Sequence, residues 1–140
     1  MKIYLAGASE EAERCAAAMQ QLQELGHAIT EDWTVSVLAN GADDDCTVAT
    51  LREAAHRNVA GVKAADLLIV LVPKERGSIG WSFEMGCALA NLVDVWWVGR
   101  KQSCFWTLAD RVFTSFDEAL EALREAEAEL CRSVLNGSAL

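Results

Sequence analysis

The strongest constraint on this chain is a run of six consecutive apolar residues, Leu67 to Val72 (LLIVLV), between Asp66 and Pro73. A strand with one wet face alternates apolar and polar side chains, so an unbroken run fits a strand covered on both faces. That is the centre of a parallel sheet, which needs helical crossovers to join its strands. The chain supplies them. Lys2 to Ala6 is a β-prone run ending at Gly7, and Ser9 is a candidate N-cap for a helix through Leu25 that stops at Gly26. Residues 27–33 read as a second strand, followed by turn formers at Asn40, Gly41 and Asp43 to Asp45, then a helix over 47–63. Beyond the central strand, over residues 66–72, the pattern predicts a helix over 80–91, strands over 93–98 and 111–114, and a last helix over 116–135.

This alternation implies an α/β, flavodoxin-like (Rossmann-like), doubly wound sheet of five parallel strands in the order 2-1-3-4-5, the middle of three αβα layers. With no linker, repeat or low-complexity segment, residues 1–135 read as one domain and 136–140 as a loose tail. Apolar residues make up 52% and charged residues 24% of the 140, the composition of a globular chain. The net charge is -9, and the segment from Asp117 to Glu129 holds six acids against Arg124 alone. That field repels a polyanion, which excludes nucleic acid as a partner while leaving room for a small phosphate held by local donors. Five cysteines without CxxC spacing, and no clustered histidines, argue against a disulfide frame or a metal site; they read as reduced, mostly buried thiols. No leader-like or membrane-spanning apolar segment is visible, so the expected address is the cytoplasm, with no membrane partner.

In a sheet of this order, ligands bind where strands one and three end side by side. The loops concerned are Gly7 to Ser9 and Pro73 to Gly80. The second offers Gly77 and Gly80 for close backbone approach, Ser78 as a hydroxyl, and a helix N-terminus behind them, a candidate phosphate cradle. It is not a P-loop, and GAS at Gly7 to Ser9 lacks a dinucleotide fingerprint. Lys74 and Arg76 are candidate counter-charges for a phosphate. Glu84 follows in the first turns of the helix among Trp81, Phe83 and Met85. Taken alone it is either a favourable helix-start acid or a poorly solvated, nucleophilic carboxylate.

The segments KIYLAG (2–7), AADLLIVLVP (64–73) and GSIGWSFEMGCALA (77–90) together resemble the nucleoside 2-deoxyribosyltransferase superfamily, which includes the 2'-deoxynucleoside 5'-monophosphate N-glycosidases. The resemblance spans roughly residues 2 to 98. It implies cleavage of an N-glycosidic bond with retention, Glu84 attacking C1' to form a glycosyl ester that water or a second base then resolves. It further implies that Tyr4 contacts the catalytic carboxylate and that Ser78 lies near a 5'-phosphate, which favours nucleotides over nucleosides. Gly7, Ser9, Gly77 and Gly80 line the sugar side, and Asp32 with Trp33 is a candidate base subsite. The substrate is a small nucleoside or nucleotide, no metal or organic cofactor is required, and the expected state is a homo-oligomer, a dimer or higher.

At Asn58, eight residues before Asp66, the family commonly has an aspartate that acts on the leaving base. An amide donates a hydrogen bond but cannot protonate a leaving group. Asp32 or His56 then stands as substitute donor, or the chain is a nucleotide-binding module with little turnover. Asp66 and Asp94 read as structural turn acids. Trp96, Trp97, Phe105 and Trp106 read as core or subunit interface.

Overall fold

The computed structural model describes residues 1–41 and 46–137. The expected Asp43 to Asp45 turn lies outside them. Five strands form one parallel sheet: β1 (Lys2–Ala6), β2 (Ala28–Ile29), β3 (Leu67–Leu71), β4 (Asp94–Val98) and β5 (Arg111–Phe113), in the order β2-β1-β3-β4-β5. Tyr4 stands opposite Leu68, and Leu68 opposite Val95. The helices are α1 (Ala12–Glu24), α2 (Thr34–Asn40), α3 (Val48–Ala64), α4 (Gly80–Ala90) and α5 (Phe116–Gly137). The expected doubly wound order is therefore the observed one.

Local sequence explains the main elements. All five residues of β3 are buried, as the unbroken apolar run requires. In α1 the buried residues Cys15, Ala18, Met19 and Leu22 recur at helical spacing and face the sheet. Gly26, at φ +87°, ends the helix. Its N–H bonds the Gln23 carbonyl and the His27 N–H bonds the Leu22 carbonyl, the paired closure that favours glycine at this place. Thr47 caps α3 by accepting the Thr50 N–H at 3.2 Å. Asp66 is structural: its carboxylate accepts the Lys2 N–H at 2.7 Å, tying the start of β1 to the start of β3. Trp96 and Trp97 belong to the core, while Phe105 is exposed and Trp106 half-buried.

Four details differ from the sequence reading. The second strand is Ala28–Ile29 rather than residues 27–33, because the chain turns at Asp32, whose carboxylate accepts the Thr34 N–H at 3.1 Å and starts α2. Ser9 does not cap α1 but begins a short 3₁₀ turn, Ser9–Glu11, that precedes it. The last helix continues to Gly137, two residues into the segment expected to be a tail. Only Cys15 is buried among the cysteines, with Cys46 and Cys87 half-buried and Cys104 and Cys131 exposed. Among the described residues, no helix is long and apolar enough to cross a membrane.

Candidate active site

The carboxyl ends of β1 and β3 open into a cavity of about 430 Å³. Its walls come from five places in the chain, one of them Ser36 and Val37 on α2. Gly7 and Ser9 follow β1, Glu31 and Trp33 follow β2, Ala54, Arg57 and Asn58 lie on α3, and Ser78 to Gly80 lead into α4, which supplies Glu84. On α3, residues 54, 57, 58 and 61 fall on one helical face, which is why the cavity residues and Gly61 occur together. A Cβ on Gly61 would stand 2.7 Å from the Glu31 Cβ and 3.1 Å from the Tyr4 ring. Glycine here lets α3 approach close to β1.

Tyr4 is fully buried on β1, and its hydroxyl donates to Glu84 Oε1 at 2.6 Å across 80 residues of sequence. Burial pushes the Glu84 carboxyl up to about 7, and the Tyr4 hydrogen bond opposes that rise. Burial and the adjacent Glu84 together push the phenol far above its ordinary value, so it remains a donor. The pair is a carboxylate poised near neutrality with one oxygen held by a phenol. Its other oxygen, Oε2, has no such constraint from Tyr4.

The loop from β3 to α4 is bound to the start of α1. Ser78 Oγ accepts the Ser9 N–H at 3.1 Å and lies 3.2 Å from Ser9 Oγ. The Ser78 N–H donates to both oxygens of Glu10, at 3.0 and 2.9 Å. Glu11 accepts the Lys74 N–H at 2.7 Å and pairs with Arg14, which also donates to the Val72 carbonyl at 3.1 Å. Gly7 is packed against α1, since a Cβ there would fall 2.4 Å from Cys15 Sγ.

Of the residues singled out by sequence, Gly7, Ser9, Trp33, Asn58, Ser78, Gly80 and Glu84 line the cavity, and Tyr4 reaches it through Glu84. Trp33 is almost wholly buried, and its indole N–H is spent on the Leu5 carbonyl at 2.8 Å. Asp32 does not line the cavity, because its carboxylate is engaged with Thr34 at the start of α2. Gly77, Lys74 and Arg76 face neighbouring hollows on the outer side of the loop. His56 is exposed on α3 and is not a wall residue. Sequence reasoning missed Glu31 and Arg57, which face each other at 3.4 Å, and Glu10.

A second, apolar groove of about 530 Å³ runs along the outer side of α4 and includes Ile79, Phe83, Phe105 and Leu108.

Against this geometry, the sequence matches the family model described as nucleoside 2-deoxyribosyltransferase over residues 3–131. The chain belongs to the nucleoside 2-deoxyribosyltransferase family. It is thereby an enzyme of the deoxyribosyltransferase kind. Among solved structures it is similar to a 2-deoxyribosyltransferase from Bacillus psychrosaccharolyticus, with TM-score 0.72 and 17% identity over 86% of this chain and 90% of that one. It is also similar to the CMP N-glycosidase BcmB of Clostridium botulinum, with TM-score 0.58 and 16% identity over 89% of this chain and 99% of that one. At these identities the likeness is one of fold. No curated protein matches the chain.

Proposed function

We propose that this family member cleaves the N-glycosidic bond of a (deoxy)nucleoside or its 5'-monophosphate through a covalent glycosyl ester on Glu84. The observation that carries the reading is the 2.6 Å contact of the buried Tyr4 hydroxyl with Glu84 on the floor of the switch-point cavity. Tyr4 holds Oε1, and Oε2 attacks C1' of the sugar. The bond from C1' to the base nitrogen breaks with its electron pair on the base, and positive charge on the ring is stabilised by the nearby carboxylate. Poor solvation of Glu84 makes its ionised form the better nucleophile.

The base lies on the α2 and α3 side of the cavity, between Trp33 and Asn58. The Asn58 amide donates a hydrogen bond to the departing base, and the proton that the base gains comes from water, since among the described residues no free acid faces that wall. Glu31 is occupied by Arg57. In the second half-reaction the oxygen of a water bonds to C1', the ester bond to Oε2 breaks and the Glu84 carboxylate is restored, while the proton this water sheds offsets the hydroxide left in solvent when the base took its proton. The sugar's 5' end points to Ser9 and Ser78. Self-association, expected from the resemblance, fits the apolar groove beside α4, which adjoins this site through Ile79 and Gly80.

The test is chromatography of 2'-deoxy- and ribonucleosides and their monophosphates after incubation with wild type, Glu84→Ala and Asn58→Asp. Free base from wild type and none from Glu84→Ala is expected, with faster release by Asn58→Asp. A new nucleoside formed when a second free base is added would identify base exchange. Base release that survives in Glu84→Ala contradicts the mechanism.

A further inference from the structure

The cavity is charged in one direction. Among the described residues its ionisable walls are Glu31, Glu84 and Arg57, two acids against one cation. Arg57 spends its charge within the wall: Nε lies 3.4 Å from Glu31 Oε1, and Nη1 lies 3.0 Å from Oε1 of Glu53, one turn earlier on α3. That trio carries one excess negative charge, and Glu84 adds another in its attacking form. The whole chain, at -9, sets a field of the same sign. A base that leaves as an anion departs into a negative enclosure, whereas a cation is drawn into it.

The proton donors point the same way. The Tyr4 hydroxyl is committed to Glu84 at 2.6 Å, and the Arg57 guanidinium to its two acids. The wall that faces the base offers the Asn58 amide, which donates a hydrogen bond and gives up no proton. The other hydroxyls among the described walls are those of Ser9, Ser36 and Ser78, which are not acids at neutral pH. A positioned general acid contributes about 10²- to 10⁴-fold to such a departure, and a neutral base goes without it here. A base that already carries positive charge has no use for it.

We infer that the preferred substrates carry a cationic base, quaternised in the ring system that holds the glycosidic nitrogen, as in a glycosyl pyridinium or a 7-alkylpurine nucleoside. This rests on the N-glycosidase reading for the placement of the base and the nucleophile. Glu84 Oε2 bonds to C1', and the C1'–N bond breaks with its electron pair passing to the base, which leaves neutral and takes no proton. A water oxygen then bonds to C1', the ester bond to Oε2 breaks, and one proton goes to solvent. The positive charge of the substrate reappears as that proton. Asn58 suits this chemistry because the departing ring asks for no acid, and Glu31 supplies the charge that holds the ring before it leaves.

The experiment compares matched pairs, 7-methylguanosine with guanosine and the 2'-deoxy forms of both, with nicotinamide riboside as a permanent cation. Free base is measured for wild type, Asn58→Asp and Glu31→Gln after subtracting release in buffer alone. In whichever pair wild type hydrolyses, kcat/KM for the cationic member should exceed that for the neutral one by at least about 100-fold, the low end of what a general acid is worth. Asn58→Asp supplies an acid, so it should cut this ratio at least about tenfold by raising kcat on the neutral member. Glu31→Gln removes a wall charge and should raise KM for the cations. A smaller ratio in wild type, a ratio that Asn58→Asp does not lower, or a KM for the cations that Glu31→Gln leaves in place overturns the inference. Binding to Glu84→Gln protein is read separately. Tighter binding of the cationic members, beside no base release from any substrate by wild type, sinks the N-glycosidase reading and not the cation preference. Base release from both members at similar rates sinks only the preference.

Discussion

At Glu84 two effects oppose each other, and in the proposed mechanism their balance sets the pH at which the enzyme works. Burial raises the carboxyl and the Tyr4 hydrogen bond lowers it, with the outcome about 7. In the proposed mechanism the nucleophile is the ionised form, so kcat/KM falls about tenfold per pH unit below that value and levels off above it. Tyr4→Phe removes the opposing hydrogen bond. It moves the acidic limb to higher pH and lowers the plateau by roughly 10- to 100-fold, the usual worth of a hydrogen bond to a charged group. A pH–rate profile of the two proteins checks both parts; a limb that does not move in Tyr4→Phe contradicts the pairing. Sequence made Tyr4 and Glu84 visible as motif positions. Glu10 was invisible as more than a helix-start acid, because its partner, the Ser78 amide, is 68 residues away and belongs to the backbone.

At the scale of elements, the cavity depends on how closely α3 approaches β1. Gly61 permits that approach, with Tyr4 and Glu31 against the place where a Cβ would stand. Gly61→Ala pushes α3 outward, displacing Tyr4 and the Glu31–Arg57 wall together. Overpacking of this kind costs about 1–3 kcal/mol. Urea denaturation should show that loss, and base release should fall by more than the loss of folded protein explains. Unchanged stability and activity would mean that the helix shifts freely. Periodicity exposed α1 and α3 in the sequence, and the continuous apolar run exposed β3. It failed at residues 27–40, where Val35, Val37 and Leu38 lack a clear helical stripe and α2 forms because Asp32 starts it and α1 packs on it. Asp32, a candidate for the base subsite, stays outside the cavity for the same reason: residues 30–33 leave the sheet early, so Glu31 faces the cavity and Asp32 turns to Thr34.

For the whole molecule, the sheet order was legible because alternating strands and helices with right-handed crossovers leave few topologies, and order then placed the switch point. The Tyr4–Glu84 contact was expected from the family resemblance, whereas the approach of α3 to β1 and the pairing of Glu31 with Arg57 were not legible, since they join elements across long separations. The buried acid also has a consequence for global stability. The folded-state value of Glu84, about 7, lies above its ordinary 4.5, so its contribution is fully present below pH 4.5 and is lost as pH rises through 7. The shift corresponds to roughly 3 kcal/mol, reduced to about 2 by solvent reaching the carboxyl through the cavity. Glu84→Gln lacks this loss, so its stability gain over wild type should be larger at pH 8 than at pH 4.5 in urea titrations. An equal gain at both pH values would mean that Glu84 is well solvated.

The most direct test of the covalent route is mass spectrometry of protein incubated with 2'-deoxy-2'-fluoro nucleosides, whose electron-withdrawing fluorine slows breakdown of a glycosyl ester. Wild type should gain the mass of one fluorinated glycosyl group, on the peptide that contains Glu84, and Glu84→Gln should gain none. Release of base from these substrates or their natural counterparts with no adduct on Glu84, or an adduct on another residue, would contradict the account.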